Sequence, residues 1–285
     1  MGQSVQQPRG RTKVRPLSPT EGGGWIRVLS LVAVAAIWEL IIWAFEPNHL
    51  PHLSAVAEAF WTLATTPGPW SCHRDTNIFW EIISQSGLAC NLGFTLFRAA
   101  AGFFSAMIIG SVIGILLGRY RTLDRFFDGW IVLGLNLPAL VVGILCYVWF
   151  GLTEFALILA LAINKVPLVA VMVREGAASI QPDLIQVAKA FRMSWFQTMR
   201  KVYLPQLFPY FMASARAGLA LIWKIVLVLE FIGRSNGVGF QFQIFFSNFE
   251  IEKVLAYTFS FIAVVMLIET FIMRPMDRKA TRWRM

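Results

Sequence analysis

The chain has 285 residues, of which 57% are hydrophobic and only 14% charged, with a mean hydropathy of +0.62; soluble domains carry about 25% charged residues. That composition excludes a disordered tail, a nucleic-acid module and an ordinary cytosolic enzyme. The formal charge of +9 would suggest a polyanion partner in a soluble protein, but in a membrane protein basic excess sets topology, so its placement decides.

Residues 1–24, with Pro8, Pro16, Pro19 and Gly22-Gly23-Gly24 among Arg and Gln, read as a flexible basic tail. A bilayer core needs about 20 mostly apolar residues per helix, because lipid leaves backbone polar groups to be satisfied within the helix. Six stretches meet this: Trp25–Phe45, Leu92–Gly118, Trp130–Phe150, Leu152–Val173, Phe211–Ile232 and Val254–Met273. The first could instead be a signal peptide, but its apolar run is too long and no small-residue cleavage site precedes Glu46-Pro47, which favours a retained helix. A tight turn near Gly151 separates the third and fourth.

Basic residues sort by connection. The N-terminal tail with Arg27, the segment 119–129, the segment 174–210 and the C-terminal tail 274–285 hold 18 of the 25 Lys and Arg. The outer loop 46–91 and the segment 233–253 hold only Arg74, Arg234 and Lys253. By the positive-inside rule both termini are cytoplasmic, and the alternation is unbroken across the six spans.

The segment 174–210 is too long for a connection and too patterned for disorder. Pro182-Asp183 can open a helix. Leu184, Val187, Ala188 and Phe191 then recur at helical spacing, with Gln186, Lys189 and Arg192 on other faces. A second short amphipathic run, Trp195–Tyr203, is expected to end at Leu204-Pro205. Two short helices at an angle would present a mixed apolar and basic surface, either to anionic lipid or to a protein partner.

Here the chain resembles a known family. The pattern Glu-Ala-Ala, three residues, Gly, nine residues, Ile-x-Leu-Pro marks the coupling loop of permease subunits of binding-protein-dependent ABC importers. Its places are taken by Gln186, Val187 and Ala188, then Arg192, then Val202, Leu204 and Pro205, with the spacing kept. The resemblance extends to the nitrate/sulfonate/taurine branch through Leu50-Pro51, Thr95 to Arg98 with Gly102, Leu137-Pro138, Trp149-Phe150-Gly151, Trp223, Glu230 and Gly237-Val238-Gly239. Two departures stand out: Gln186 replaces the family's Glu and Arg192 its Gly. Arg192 is expected to change the angle between the short helices or to add a basic contact to the ATPase.

The resemblance implies an all-α polytopic protein of the bacterial inner membrane with the type I ABC importer permease fold, its permease domain spanning residues 25–273. It implies two permease copies (homodimer or heterodimer), two ATP-binding subunits on the coupling loops and a periplasmic solute-binding protein at the outer mouth. The solute it implies is a small organic anion, sulfonate- or taurine-like, or nitrate. The chain shows no Gly-x-x-x-x-Gly-Lys-Ser/Thr loop, so ATP hydrolysis would belong to a partner. No metal or cofactor follows from the scattered cysteines or from His49, His52 and His73.

Polar residues within spans are candidate pathway positions, since a charge near the bilayer centre costs about 2.5–3.5 kcal/mol on insertion scales. These are Glu39, Arg98, Asn136, Asn164, Lys165, Arg216, Lys224, Glu230 and Glu269. Arg98 and Arg216 could instead snorkel to headgroups, and Glu269 could pair with Arg274. Asn164 and Lys165, just before Pro167, with Lys224, are expected to attract an anionic solute; the alternative is an internal pair of Lys165 with Glu39 or Glu230. Glu230 could equally be a structural cap beside the Gly-x-Gly turn. Cys72 and Cys90 could bridge the outer loop and tie the segment 67–80 to the second span, whereas Cys146 reads as a packed apolar residue. A secondary transporter fits poorly for want of internal repeats and discontinuous helices in both halves; a docking scaffold without transport remains the alternative.

Overall fold

The computed structural model of the protein describes residues 23–45, 50–66, 86–180 and 182–276. Residues 1–22 of the basic tail, the segment 67–85 with Cys72, and residues 277–285 lie outside them. Among the described residues the chain is helical throughout, with no strand. It divides into two units, residues 1–53 and 54–285.

The first unit contains α1, Gly23–Phe45, and the start of α2, Leu53–Thr65. Within this unit Glu39 is bonded at the start of α2. One carboxylate oxygen accepts the Leu53 N–H at 2.7 Å and the other lies 2.9 Å from His52 Nδ1. A carboxylate bonded to the first amide of a helix satisfies an orphan donor and complements the helix dipole.

The second unit is built around α3, Gly87–Arg119, and α6, Glu154–Ala178. Residues 102, 106, 110, 114 and 118 of α3 are Gly, Ala, Gly, Gly and Gly, one small side chain per turn. A Cβ at Gly102, Gly110 or Gly114 would come within 2.7 Å of Leu161 Cβ, Val169 Cβ or the Ala170 carbonyl oxygen, and one at Gly118 within 2.5 Å of Ala177 Cβ. In lipid, where apolar burial drives little association, such close backbone approach is what holds helices together.

Between them run α4, Arg121–Asn136, and α5, Ala139–Phe150. They were expected as the single span Trp130–Phe150, but the pair bends by 95°. The residue before a proline disfavours helical geometry, and Leu137 before Pro138 is extended, with ψ of 124°. Gly151, at φ 71°, then makes the expected turn into α6.

After α6 come α7, Pro182–Ala190, and α8, Trp195–Thr198. A π-helical turn, Met199–Tyr203, leads into α9, Leu204–Gly233. Leu204-Pro205 therefore begins a long helix instead of ending a short one. The wider π turn accommodates Pro205, which would otherwise collide with the preceding turn. The chain closes with α10, Val238–Ser247, and α11, Ile251–Ile268.

Among the described residues four helices are long and apolar enough to cross a membrane: Val28–Phe45 within α1, then α3, α6 and the stretch Ile251–Met276; the bent α4–α5 pair would make a fifth. The remaining expected span, Phe211–Ile232, falls in α9, 30 residues long, whose apolar half carries Arg216, Lys224 and Glu230. The core lies where α3, α5, α6, α9, α10 and α11 meet, around Leu157, Leu161, Ile222 and Val226, all essentially inaccessible.

Candidate functional site: a coupling segment and a buried polar clamp

The expected coupling residues sit on α7, α8 and the turns around them. On α7, Ala188 is buried while Gln186, Val187 and Lys189 are exposed. The helix ends in a Schellman motif: the Met193 N–H bonds the Ala188 carbonyl at 3.0 Å and the Arg192 N–H that of Lys189 at 2.9 Å. Its left-handed position is Arg192, at φ 50°. The departure from glycine therefore keeps the turn and places a long cation on it, at a steric cost of about 1–2 kcal/mol. Ser194 then opens α8 with a reciprocal capping box, its hydroxyl accepting from the Gln197 amide while Gln197 Oε1 accepts from the Ser194 amide.

The two short helices carry an exposed apolar group: Leu184 (40%), Val187 (50%), Phe191 (77%), Trp195 (69%) and Phe196 (66%). Val202 is half-buried, while Leu204 and Pro205 are exposed at the head of α9. The segment is fastened to the spans at two points. The Arg119 guanidinium donates to the Tyr203 hydroxyl at 3.1 Å and lies against its ring, 6.0 Å from the centroid. Tyr210 packs so closely on Gly176 that a Cβ there would be 2.6 Å from the ring, and its hydroxyl accepts from Ser179 at 2.9 Å. These contacts tie the segment to the ends of α3, α6 and α9.

At the other end of the same helices lies a polar clamp. Arg98 does not snorkel; it is wholly buried. Its Nη1 donates to Glu230 Oε1 at 2.7 Å and to the Asn236 carbonyl at 2.9 Å. Its Nε and Nη2 hold both oxygens of Glu154 at 2.7 and 2.6 Å, and Nη2 also contacts Asn236 Oδ1. Arg234 reaches the same Glu154. Glu230, also wholly buried, accepts from the Thr95 hydroxyl at 2.7 Å and the Gly239 amide at 3.0 Å. Thr95 in turn accepts from the Val238 amide and Asn91 from the Gly237 amide. Gly237, at φ 103°, is in the left-handed half of the map, and a Cβ there would sit 2.5 Å from the Glu230 carboxylate. Glu230 thus anchors the α9–α10 turn through Arg98, Thr95 and the Gly239 amide. Asn91, Glu154, Arg234 and Asn236 were missed in the sequence. Asn91, Thr95 and Arg98, spaced by four and three, were the available signal.

The remaining pathway candidates are dispersed. Asn136 is exposed at the α4–α5 bend, its amide on the Val132 carbonyl at 2.7 Å. Asn164 is half-buried and bonded to the Ala160 carbonyl at 3.0 Å. Lys165 is 1% accessible and its Nζ has no hydrogen-bond partner among the described residues. The side chain lies across the Gly218 backbone, where a Cβ would overlap Lys165 Cε. Glu230, bonded to Arg98, Thr95 and the Gly239 amide, does not reach it. Lys224 is exposed and forms no ion pair among the described residues. Arg216 bonds Glu269 at 3.2 Å, which replaces the expected pairing of Glu269 with Arg274. Cys90 is wholly buried and disulfide-bonded, Cys146 is a free buried thiol, and Cys72 lies outside the described residues.

Comparison with known proteins agrees with this architecture. The family model described as binding-protein-dependent transport system inner membrane component matches residues 106–282. A Bacillus subtilis permease protein named for aliphatic sulfonates transport, SsuC, is 30% identical over 262 residues, covering 92% of this chain and 88% of the relative. The taurine transport system permease protein TauC of Escherichia coli is 26% identical over 256 residues, 89% of this chain and 88% of the relative. The bicarbonate transport system permease protein CmpB of Synechococcus elongatus is 29% identical over 201 residues, 70% and 68% of the two chains. An inward-facing structure of the MetNI methionine ABC transporter matches with a TM-score of 0.57 at 22% identity, over 66% of this chain and 93% of that one. That likeness carries the type I importer fold. The chain belongs to the family of inner-membrane components of binding-protein-dependent transport systems, the permeases of ABC importers.

Proposed function

We propose that this permease passes a small anion, sulfonate- or taurine-like or nitrate, and takes its driving force from a cytoplasmic ATPase docked on residues 174–210. The observation that carries the coupling half is the exposed apolar group on α7 and α8, framed by Lys189 and Arg192 and fastened to three spans. Contiguous apolar surface rimmed by charge favours a protein partner. Two ATP-binding subunits, one on each of two permease copies, and a periplasmic binding protein complete the assembly. The loop charges support a cytoplasmic location for both termini.

The anion reading is supported by the names of the relatives, which share a small anionic or zwitterionic solute, and by Lys224. A charged side chain exposed within a membrane helix faces a partner or water, not lipid. Lys224 and Asn136 line the passage, and Lys165 with Asn164 come into it when α6 and α9 move apart in the alternate state. We assign Cys72 as the partner of Cys90, since Cys146 is free. The test is to purify the binding protein with the complex and identify its ligand by mass spectrometry. A sulfonate, taurine or nitrate is expected; a cation or a neutral sugar would contradict the anion reading.

A further inference from the structure

Where α3 turns through Tyr120 into α4, two cavities meet. One, of about 710 Å³, is charged: Arg119, Arg121, Arg125 and Arg174 outnumber Asp124, Asp128 and Glu175 in its wall. The other, of about 380 Å³, is apolar and runs between Leu116, Phe127 and Trp130 on one side and Val166 and Pro167 on the other. Leu117 lines both.

The groove lies between two pins that fix α4 against α6. At the charged end, Arg174 Nη1 bonds Asp124 at 2.9 Å and Asp128 at 2.8 Å. At the other, Gly134 approaches Pro167 so closely that a Cβ would stand 2.7 Å from the ring. Because Arg174 takes both aspartates, Arg121 and Arg125 form no ion pair among the described residues, and the rim they make is positive. Trp130 is 66% exposed at the side of the groove, and interfacial tryptophans sit at headgroup level.

We propose that this composite pocket binds an anionic phospholipid, with its phosphate between Arg121 and Arg125 and one acyl chain in the groove beside Phe127 and Trp130. The order of chemistry matches such a molecule end to end: anion-binding rim, shared Leu117, apolar groove. Clusters of arginine beside membrane helices attract anionic headgroups electrostatically. The bound lipid would complete the packing of α4 against α6 between the two pins. The inference rests on the membrane placement of these helices and not on the identity of the solute.

The full-length protein in mild detergent is mixed with phosphatidylglycerol or phosphatidylcholine, and retained lipid is counted by native mass spectrometry. Phosphatidylglycerol is expected to be retained preferentially, and R121Q/R125Q to remove about thirtyfold of that preference, with the lipid-free melting temperature unchanged because both arginines are exposed. A photo-reactive Phe127→benzoylphenylalanine is expected to cross-link lipid in native membranes. Equal retention of the two lipids by the wild type, undiminished preference in R121Q/R125Q, stabilisation by inorganic phosphate alone to the same extent, or cross-linking of position 127 to a second permease chain would each overturn the proposal.

Discussion

Arg98 Nη1 and Glu230 Oε1 stand 2.7 Å apart with neither side chain accessible to solvent. They join α3 to the end of α9 across 132 positions of sequence. Removing one partner of such a pair leaves an uncompensated buried charge, at a cost of about 3–5 kcal/mol. Arg98→Met should accordingly lower the thermal midpoint of the purified protein sharply. Arg98→Lys should rescue it little, because an ammonium cannot reach Glu154 and Glu230 through one planar fork. The double replacement Arg98→Met/Glu230→Met should be less damaging than either single change, which a thermal unfolding series in one detergent would show.

Arg192 occupies the left-handed turn between the short helices. That conformation costs a non-glycine residue about 1–2 kcal/mol, and glycine's greater freedom in the unfolded chain offsets about 0.5–1 of it. Arg192→Gly should therefore strengthen the segment locally by up to about 1 kcal/mol. Hydrogen-exchange protection of residues 182–204 would rise in the variant; unchanged or weaker protection would mean the arginine makes compensating contacts.

At Gly110 and Gly114 the α3–α6 seam leaves no room for a methyl group. Gly110→Ala places a Cβ 2.7 Å from Val169 Cβ, and Gly114→Ala one 2.7 Å from the Ala170 carbonyl. Overpacking of this kind costs about 1–3 kcal/mol. The Ala170 carbonyl is backbone and yields less than a side chain, so Gly114→Ala should be the worse of the two in a thermal-shift comparison.

Lys165 gives the sharpest separation of structure from transport. Its buried, unpartnered Nζ destabilises the fold, so Lys165→Met, close in volume, should raise the thermal midpoint. The same change should lower anion uptake by reconstituted vesicles at equal amounts of assembled complex. Loss of assembly together with uptake would assign Lys165 a structural role.

The sequence was most legible where one physical signal acts along a continuous stretch. The spans α1, α3, α6 and α11 follow from apolar length, and α7 from Pro182-Asp183 and the spacing of Leu184, Val187 and Phe191. The bend at Leu137-Pro138 carried its own signal, the constraint that proline puts on the preceding residue, but the apolar stretches on either side of Asn136 and Pro138 masked it. Pro205 misled in the opposite sense, because a π turn lets the helix run through it. The clamp was the least legible part. Arg98 alone resembles a snorkelling residue, and only the fold brings Glu154, Glu230 and Asn236 around it. Likewise, nothing in the run 156–170 reveals that Lys165 turns towards Gly218 instead of a carboxylate.

Docking of the ATPase on α7 and α8 is open to direct test. The most direct measurement is ATP hydrolysis by the reconstituted complex, with and without loaded binding protein, for the wild type and for Val187→Asp and Phe191→Ala. Both residues are exposed, so the variants should fold and insert normally. Solute-stimulated hydrolysis is expected in the wild type, with its loss by at least about tenfold in the variants. Stimulation in the variants equal to that of the wild type, or a wild-type permease that retains no ATPase on purification, would contradict it.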